Sequence, residues 1–223
     1  MTRLLLPRAV SALVLVLAPF CSGCTSPGAT AGPAAGSAPA PAPAAAVPTT
    51  AGELQALLVE RVPSGLPLVP DDELNPPAGE KTIDDLARYG NDADRQRQVL
   101  QHYGYERGWE RFWRSGDALT SVFIDQFRGA DGARSYAEDL ARNDAAYYGG
   151  VPEQSPGDLP DGCVAMGRDV PASARGLAGP AAFAWCASGV FTVAVAAVAE
   201  SPAAARAELA AVTAQQLVRL PTS

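Results

Sequence analysis

Residues 25–49 contain only Ala, Pro, Gly, Ser and Thr, apart from Val47, and carry no charge. A segment with almost nothing to bury cannot offset the entropy of ordering, so the sequence predicts a disordered tether and confines folding to the residues beyond it. Flexible-chain statistics give such a tether a typical reach of roughly 25–30 Å. The part that can fold, residues 50–223, has the size of one ordinary domain and can bury a sizeable core.

Ahead of the tether, Arg3 and Arg8 precede an apolar run over 9–20, and the small residues Ser22 and Gly23 precede Cys24. This is the order of an export signal. The run is about a dozen residues long, short of the roughly 20 that span a hydrocarbon core. Ser22-Gly23-Cys24 resembles the lipobox of bacterial lipoproteins, although Cys21 stands where that family usually has an aliphatic residue. The resemblance implies cleavage between Gly23 and Cys24 and a lipid anchor of fatty acyl chains, such as palmitate, on Cys24. Residues 1–23 are then a signal peptide and residues 24–49 the lipidated cysteine with its tether. Residues 50–223 form a single domain on the extracytoplasmic face of the cell membrane. An ordinary signal peptide cut elsewhere, or an unprocessed anchor, is the competing reading.

The formal net charge is −7, and removing Arg3 and Arg8 with the signal makes it more acidic. That sign excludes unspecific binding to nucleic acid or to an anionic membrane surface. With Cys24 acylated and Cys21 discarded, Cys163 and Cys186 remain, and an oxidising compartment pairs them. Closing that loop contributes about 3.4 kcal/mol in the chain-entropy model. A redox or metal pair would call for a closely spaced Cys-x-x-Cys, which is absent.

Capping and periodicity place the elements. Thr50-x-x-Glu53 is a capping box followed by Leu54, Leu57 and Leu58 on one face, with Pro63 as the stop. An irregular stretch over 63–79 comes next, with Leu66 and Leu68 as anchors. Thr82 caps a short helix ended by Gly90, and Asp92 opens another that carries Val99, Leu100 and Tyr103 before Gly104. From Tyr105 the period shifts toward two. Tyr105, Trp109 and Trp113 fall on one face of a strand, Glu106, Glu110 and Arg114 on the other, and Phe112 breaks the alternation. A turn at Ser115-Gly116-Asp117 leads to a strand over 119–127 and a helix over 131–147 buried through Ala133, Tyr136, Ala137 and Leu140. After a Gly/Pro-rich loop over 149–179, strands over 182–186 and 190–198 flank Ser188-Gly189. Ser201-Pro202 then opens a helix carrying Leu209, Val212, Leu217 and Leu220. Val122-Phe123 recurs as Val190-Phe191, and Ala133-Arg134 as Ala205-Arg206. The expected fold is therefore α+β: an antiparallel sheet from two ββα units with helices on one face, plus N-terminal helices.

Gly-Tyr-Glu-Arg-Gly-Trp (104–109) leading into a strand and Phe-x-Gly-Ala-Asp-Gly-Ala (127–133) leading into a helix, behind an Ala/Pro tether, resemble small exported lipoproteins of actinobacterial type. In layout the body is also similar to the PsbP/Mog1 class and to extracellular sensor domains of some bacterial kinases. The resemblance implies binding or accessory roles and supplies no catalytic residue.

The residues agree. His102, the single histidine, sits at a helix end, and no nucleophile elbow, zinc-binding helix, phosphate loop or dinucleotide fingerprint is present, so no catalytic residue, metal ligand or cofactor is assigned. The acidic runs Asp71-Asp72-Glu73 and Asn91-Asp92-Ala93-Asp94 lack the spacing of a calcium loop. Tyr105, Trp109, Arg111 and Trp113 are the candidate ligand or partner contacts, since aromatic faces beside guanidinium groups stack on flat ligands and partner side chains. The competing reading makes them the core face of a strand. A non-catalytic binding or accessory lipoprotein, with an envelope protein as partner, is the leading functional class. The alternatives are a carrier of a lipid or other small apolar ligand and an envelope hydrolase.

Overall fold

The computed structural model describes residues 46–221. The signal peptide, Gly23, Cys24 and all but the last few residues of the tether lie outside the described residues.

The first described residues explain where the chain enters the fold. The Pro48 carbonyl accepts hydrogen bonds from Arg107 and from Gln126, both at 2.9 Å. The capping box then forms as its residues dictate, with Thr50 and Glu53 satisfying each other's backbone N–H groups at the start of α1 (Ala51–Ala56). α1 ends well before Pro63 because tertiary partners take over its last backbone groups. Gln216 accepts from the Val59 N–H at 3.0 Å and donates to the Leu57 carbonyl at 2.9 Å, while Arg219 donates to Leu57 and Ala56.

The stretch expected to be irregular, 63–79, ends where a short edge strand begins, β1 (Gly79–Lys81), followed by α2 (Ile83–Ala87) and α3 (Ala93–Tyr103). Thr82 and Asp85 make the second capping box, Asp92 caps α3, and Gly104 ends it at φ 75°, where only glycine is unstrained. Two long strands come next, β2 (Tyr105–Ser115) and β3 (Ala118–Phe127), then α4 (Ala130–Tyr148). Within the segment expected as a loop lie β4 (Glu153–Gln154) and β5 (Cys163–Arg168). The chain finishes with β6 (Ala181–Ser188), β7 (Phe191–Val198) and α5 (Pro202–Leu217).

The fold is α+β, with one antiparallel sheet in the order β1-β2-β3-β7-β6-β5-β4. The two ββα units pair through β3 and β7, with Val122 opposite Val195. Cys163 and Cys186 face each other across β5 and β6 and form a disulfide. The placement of the helices differs from the one-face expectation. α4 packs over β6, β7 and β3 through Ala133, Tyr136, Leu140 and Tyr148, on the face of Phe123 and Phe183. α5 packs over β7 and β6 through Ala205, Leu209 and Val212, on the opposite face, with Ile124 and Val193; α1 joins it there. Both helices leave antiparallel strands toward the β6 side, and a step of the same hand from oppositely directed strands lands on opposite faces. No rotation therefore superimposes the two units. The matched dipeptides show it, since Phe123 and Ala133 belong to one core while Phe191 and Ala205 belong to the other. β3, β6 and β7 are covered on both sides, which is why they are buried almost throughout, including the polar Thr120, Ser121, Asp125 and Gln126 of β3.

Candidate functional site

β1 and α2 are separated by Thr82 alone, so the chain turns from sheet edge to helix in one residue and encloses a corner. In β1 the burial alternates, with Gly79 and Lys81 inward and Glu80 outward. Lys81, the chain's single lysine, is thereby aimed at Glu110 on β2. Its Nζ lies 3.5 Å from Glu110 Oε2, both side chains about 95% buried, and it donates to the Pro77 carbonyl at 2.6 Å. The Tyr89 hydroxyl, just past α2, donates to the same Glu110 oxygen at 3.0 Å. The Tyr105 hydroxyl donates to the Lys81 carbonyl at 2.7 Å. Asp125, also buried, closes the group from β3. Gly108, its partner in register, makes room for it: a Cβ there would collide with the Asp125 carboxylate and approach the Tyr105 hydroxyl to 2.7 Å. Desolvating such ions costs several kcal/mol each, which is offset here through Glu110 Oε2, where the Lys81 ammonium and the Tyr89 hydroxyl converge.

Over this polar floor opens a cleft of about 490 Å³, walled by Pro76, Pro77 and Tyr89 and rimmed by Glu80, Asp85 and Arg88. Arg88 pairs with Asp85 at 2.9 Å. Burial works against the Asp85 charge, but hydrogen bonds from the Thr82 hydroxyl and N–H, together with Arg88, outweigh it and hold the carboxyl below its ordinary range. The volume falls within the roughly 300–1,000 Å³ typical of small-molecule sites. The arrangement offers two ring walls, a rigid floor and a rim that carries both signs of charge.

The four candidates read from the sequence are not gathered at one surface. A bulge between Tyr105 and Arg107 turns Tyr105 onto the opposite face from Trp109 and Trp113, which corrects the single-face reading. Tyr105 packs edge-on to Phe127 at 5.6 Å between centroids, while Trp113 is 1% exposed in the core under α1 and α5. Trp109 is half-buried against that same core. Arg111 donates to the Val59 carbonyl at 2.8 Å, and burial holds its guanidinium below the ordinary arginine range although Asp71 and Glu60 oppose the shift. Phe112 breaks no alternation: it fills the α2–α3 face against Phe123. His102 is exposed in the last turn of α3.

A second cleft, of about 290 Å³, lies beside the disulfide between α4 and the sheet edge, with Arg134, Glu138, Gln154, Cys163 and Trp185 in its lining. Deeper between α4 and the sheet, the space bounded by Asp144, Tyr148, Phe183 and Trp185 is about 20 Å³. Burial drives the Tyr148 phenol there far above its ordinary range. Among the described residues no group of three or more His, Cys, Asp and Glu side chains is placed to hold a metal ion. No helix among them is long and apolar enough to cross a membrane.

The sequence reading missed Lys81 and Glu110, the first lying next to a stretch expected to be irregular and the second on the strand face opposite the aromatic candidates. The available signal was the lone lysine immediately before a strong capping box.

No family model matches this chain, and no curated protein matches it. Among solved structures, the extracellular domain of PknH from Mycobacterium tuberculosis is similar to it, with 13% identity and a TM-score of 0.46 over 78% of this chain and 97% of that one.

Proposed function

We propose that the chain is a lipid-anchored lipoprotein on the extracytoplasmic face of the cell membrane, and that its folded body is a non-catalytic binding or accessory module. The observation that carries the binding assignment is the commitment of charge at the β1–α2 cleft. Lys81 is held by Glu110 and Pro77, and Asp85 by Arg88 and Thr82. Groups fixed in this way shape and polarise a ligand surface, whereas a general acid or base must be free to exchange its proton with the reacting group. The lipobox resemblance at Ser22-Gly23-Cys24 and the Cys163–Cys186 disulfide support export to an oxidising compartment. Pro48, pinned between β2 and β3, would make the start of β2 and the end of β3 the point where the tether meets the body.

A carrier of lipid would need an enclosed cavity of several hundred Å³. Between α4 and the sheet, the space bounded by Asp144, Tyr148 and Phe183 is about 20 Å³, room for one water molecule, and the cleft of about 290 Å³ beside the disulfide carries Arg134 and Glu138 in its lining.

Mass spectrometry of the mature protein tests the anchor, with an N-terminal diacylglyceryl Cys24 expected; an unmodified Cys24, or a start downstream of it, overturns it. Affinity capture from detergent-solubilised envelope, with the full chain as bait, tests the binding role. A component retained by the wild type and lost from cleft variants of unchanged stability is expected, and retention indifferent to the cleft overturns this assignment.

A further inference from the structure

We infer that the β1–α2 cleft takes a neutral saccharide unit, an inference that rests on the reading of the body as a binding module. Three features of the cleft point to that class of ligand. Its lining includes three rings, those of Tyr89, Pro76 and Pro77, which offer apolar surface of the kind a pyranose covers with its C–H face. Its polar groups are planar or multidentate and stand at different heights, with the Glu80 and Asp85 carboxylates and the Arg88 guanidinium at the rim and Lys81 at the base. That distribution suits a ligand bearing several hydroxyls, each able both to donate and to accept. Its charges nearly cancel, because Lys81 is neutralised by Glu110 and Arg88 by Asp85, leaving Glu80 as the remaining lining charge. A phosphate or carboxylate ligand would meet that negative charge with Lys81 committed to Glu110 and only the exposed Arg88, itself paired with Asp85, to answer it, so an anion is disfavoured. A lipid chain would meet a charged rim and a buried ion pair.

Titration of the purified full chain in detergent micelles, followed by amide NMR, tests the assignment, with glucose and N-acetylglucosamine as neutral probes and glucuronate as the charged counterpart. The neutral sugars are expected to shift amides of residues 79–81 and 84–89, with glucuronate weaker by roughly tenfold. Tyr89→Leu, which removes the ring, should weaken binding of the neutral sugars by roughly tenfold, whereas Tyr89→Phe, which keeps it, should bind them nearly as wild type. Neutral sugars that leave these amides unmoved overturn the assignment, as does glucuronate binding as tightly as glucose. Shifts produced by a proline-rich peptide and not by the sugars assign the cleft to peptide and overturn it as well. Envelope capture with the Tyr89→Leu chain separates this result from the wider reading. Capture that depends on Tyr89 in a protein silent to sugars leaves the module standing while the saccharide falls.

Discussion

Lys81 shows at the residue scale how a single side chain can be both marginal in composition and central in energy. Removing one partner of a buried pair strands the other, so Lys81→Met should destabilise the fold by about 3–5 kcal/mol. Adding Glu110→Leu should restore much of that loss, because the stranded carboxylate goes with it. Chemical denaturation of the single and double variants checks both, and a double variant no better than the single would show that Glu110 is stabilised independently of Lys81. Asp85 makes the complementary case at the rim. Its folded-state pKa is depressed, so its stabilising contribution is present above the ordinary carboxylate range and is lost as pH falls through the folded-state value. The stability gap between wild type and Asp85→Asn should therefore be open at neutral pH and close on acidification, as read from urea midpoints across a pH series. Thr82→Ala should cost about 1 kcal/mol at neutral pH by removing the cap itself.

Four of the five α-helix starts among the described residues were legible at the scale of elements because a capping side chain writes them, Thr50 with Glu53 and Thr82 with Asp85, with Asp92 and Ser201 acting alone, whereas α4 starts after Gly129 with no side-chain cap. Endings set by tertiary contacts were not. Nothing near Ala56 announces that Gln216, far along the chain, will take the Val59 N–H. Gln216→Leu should leave that donor unsatisfied, with a loss of about 1–3 kcal/mol and faster hydrogen exchange at Val59; unchanged exchange there would mean that α1 ends for local reasons. β5 was hidden for a related reason. Cys163 to Arg168 includes Gly167 and has little of the apolar alternation of a strand, and it is held by its pairing to β6 and by the disulfide. The cysteine pair was readable from composition and compartment, but the strand it staples was not. Replacing both cysteines with alanine should lower stability by about 3 kcal/mol, measured by denaturation without reductant. The candidate site divided along the same line. The aromatic stripe of β2 was visible as a pattern, yet the bulge after Tyr105 that distributes it over two faces leaves no mark in residue types.

Over the whole molecule, the two helices that close the ββα units lie back to back across one sheet, which joins the fates of two cores. β3, β6 and β7 contribute alternate side chains to both: Phe123, Phe183 and Ala194 on the α4 side, and Ile124, Ala184 and Val193 on the α5 side. Neither core can be lost while the other stays intact, because each needs the same three strands in register. A ββα repeat with both helices on one face would instead leave a second face for water or a partner, and β3, β6 and β7 would then alternate buried and exposed residues rather than stay buried on both faces. The molecule should accordingly unfold as a single unit. Phe123→Ala on one face and Leu209→Ala on the other should each lower stability by about 2–5 kcal/mol, and both should shift the whole transition, as monitored by far-ultraviolet circular dichroism and by tryptophan fluorescence. Trp113 and Trp185 report from opposite faces, so the fluorescence of single-tryptophan variants gives each core its own signal. Coincident midpoints for the two reporters are the expected result in both variants. A transition at Trp185 that separates from that at Trp113 when Phe123 is truncated would show that the sheet does not couple its two sides.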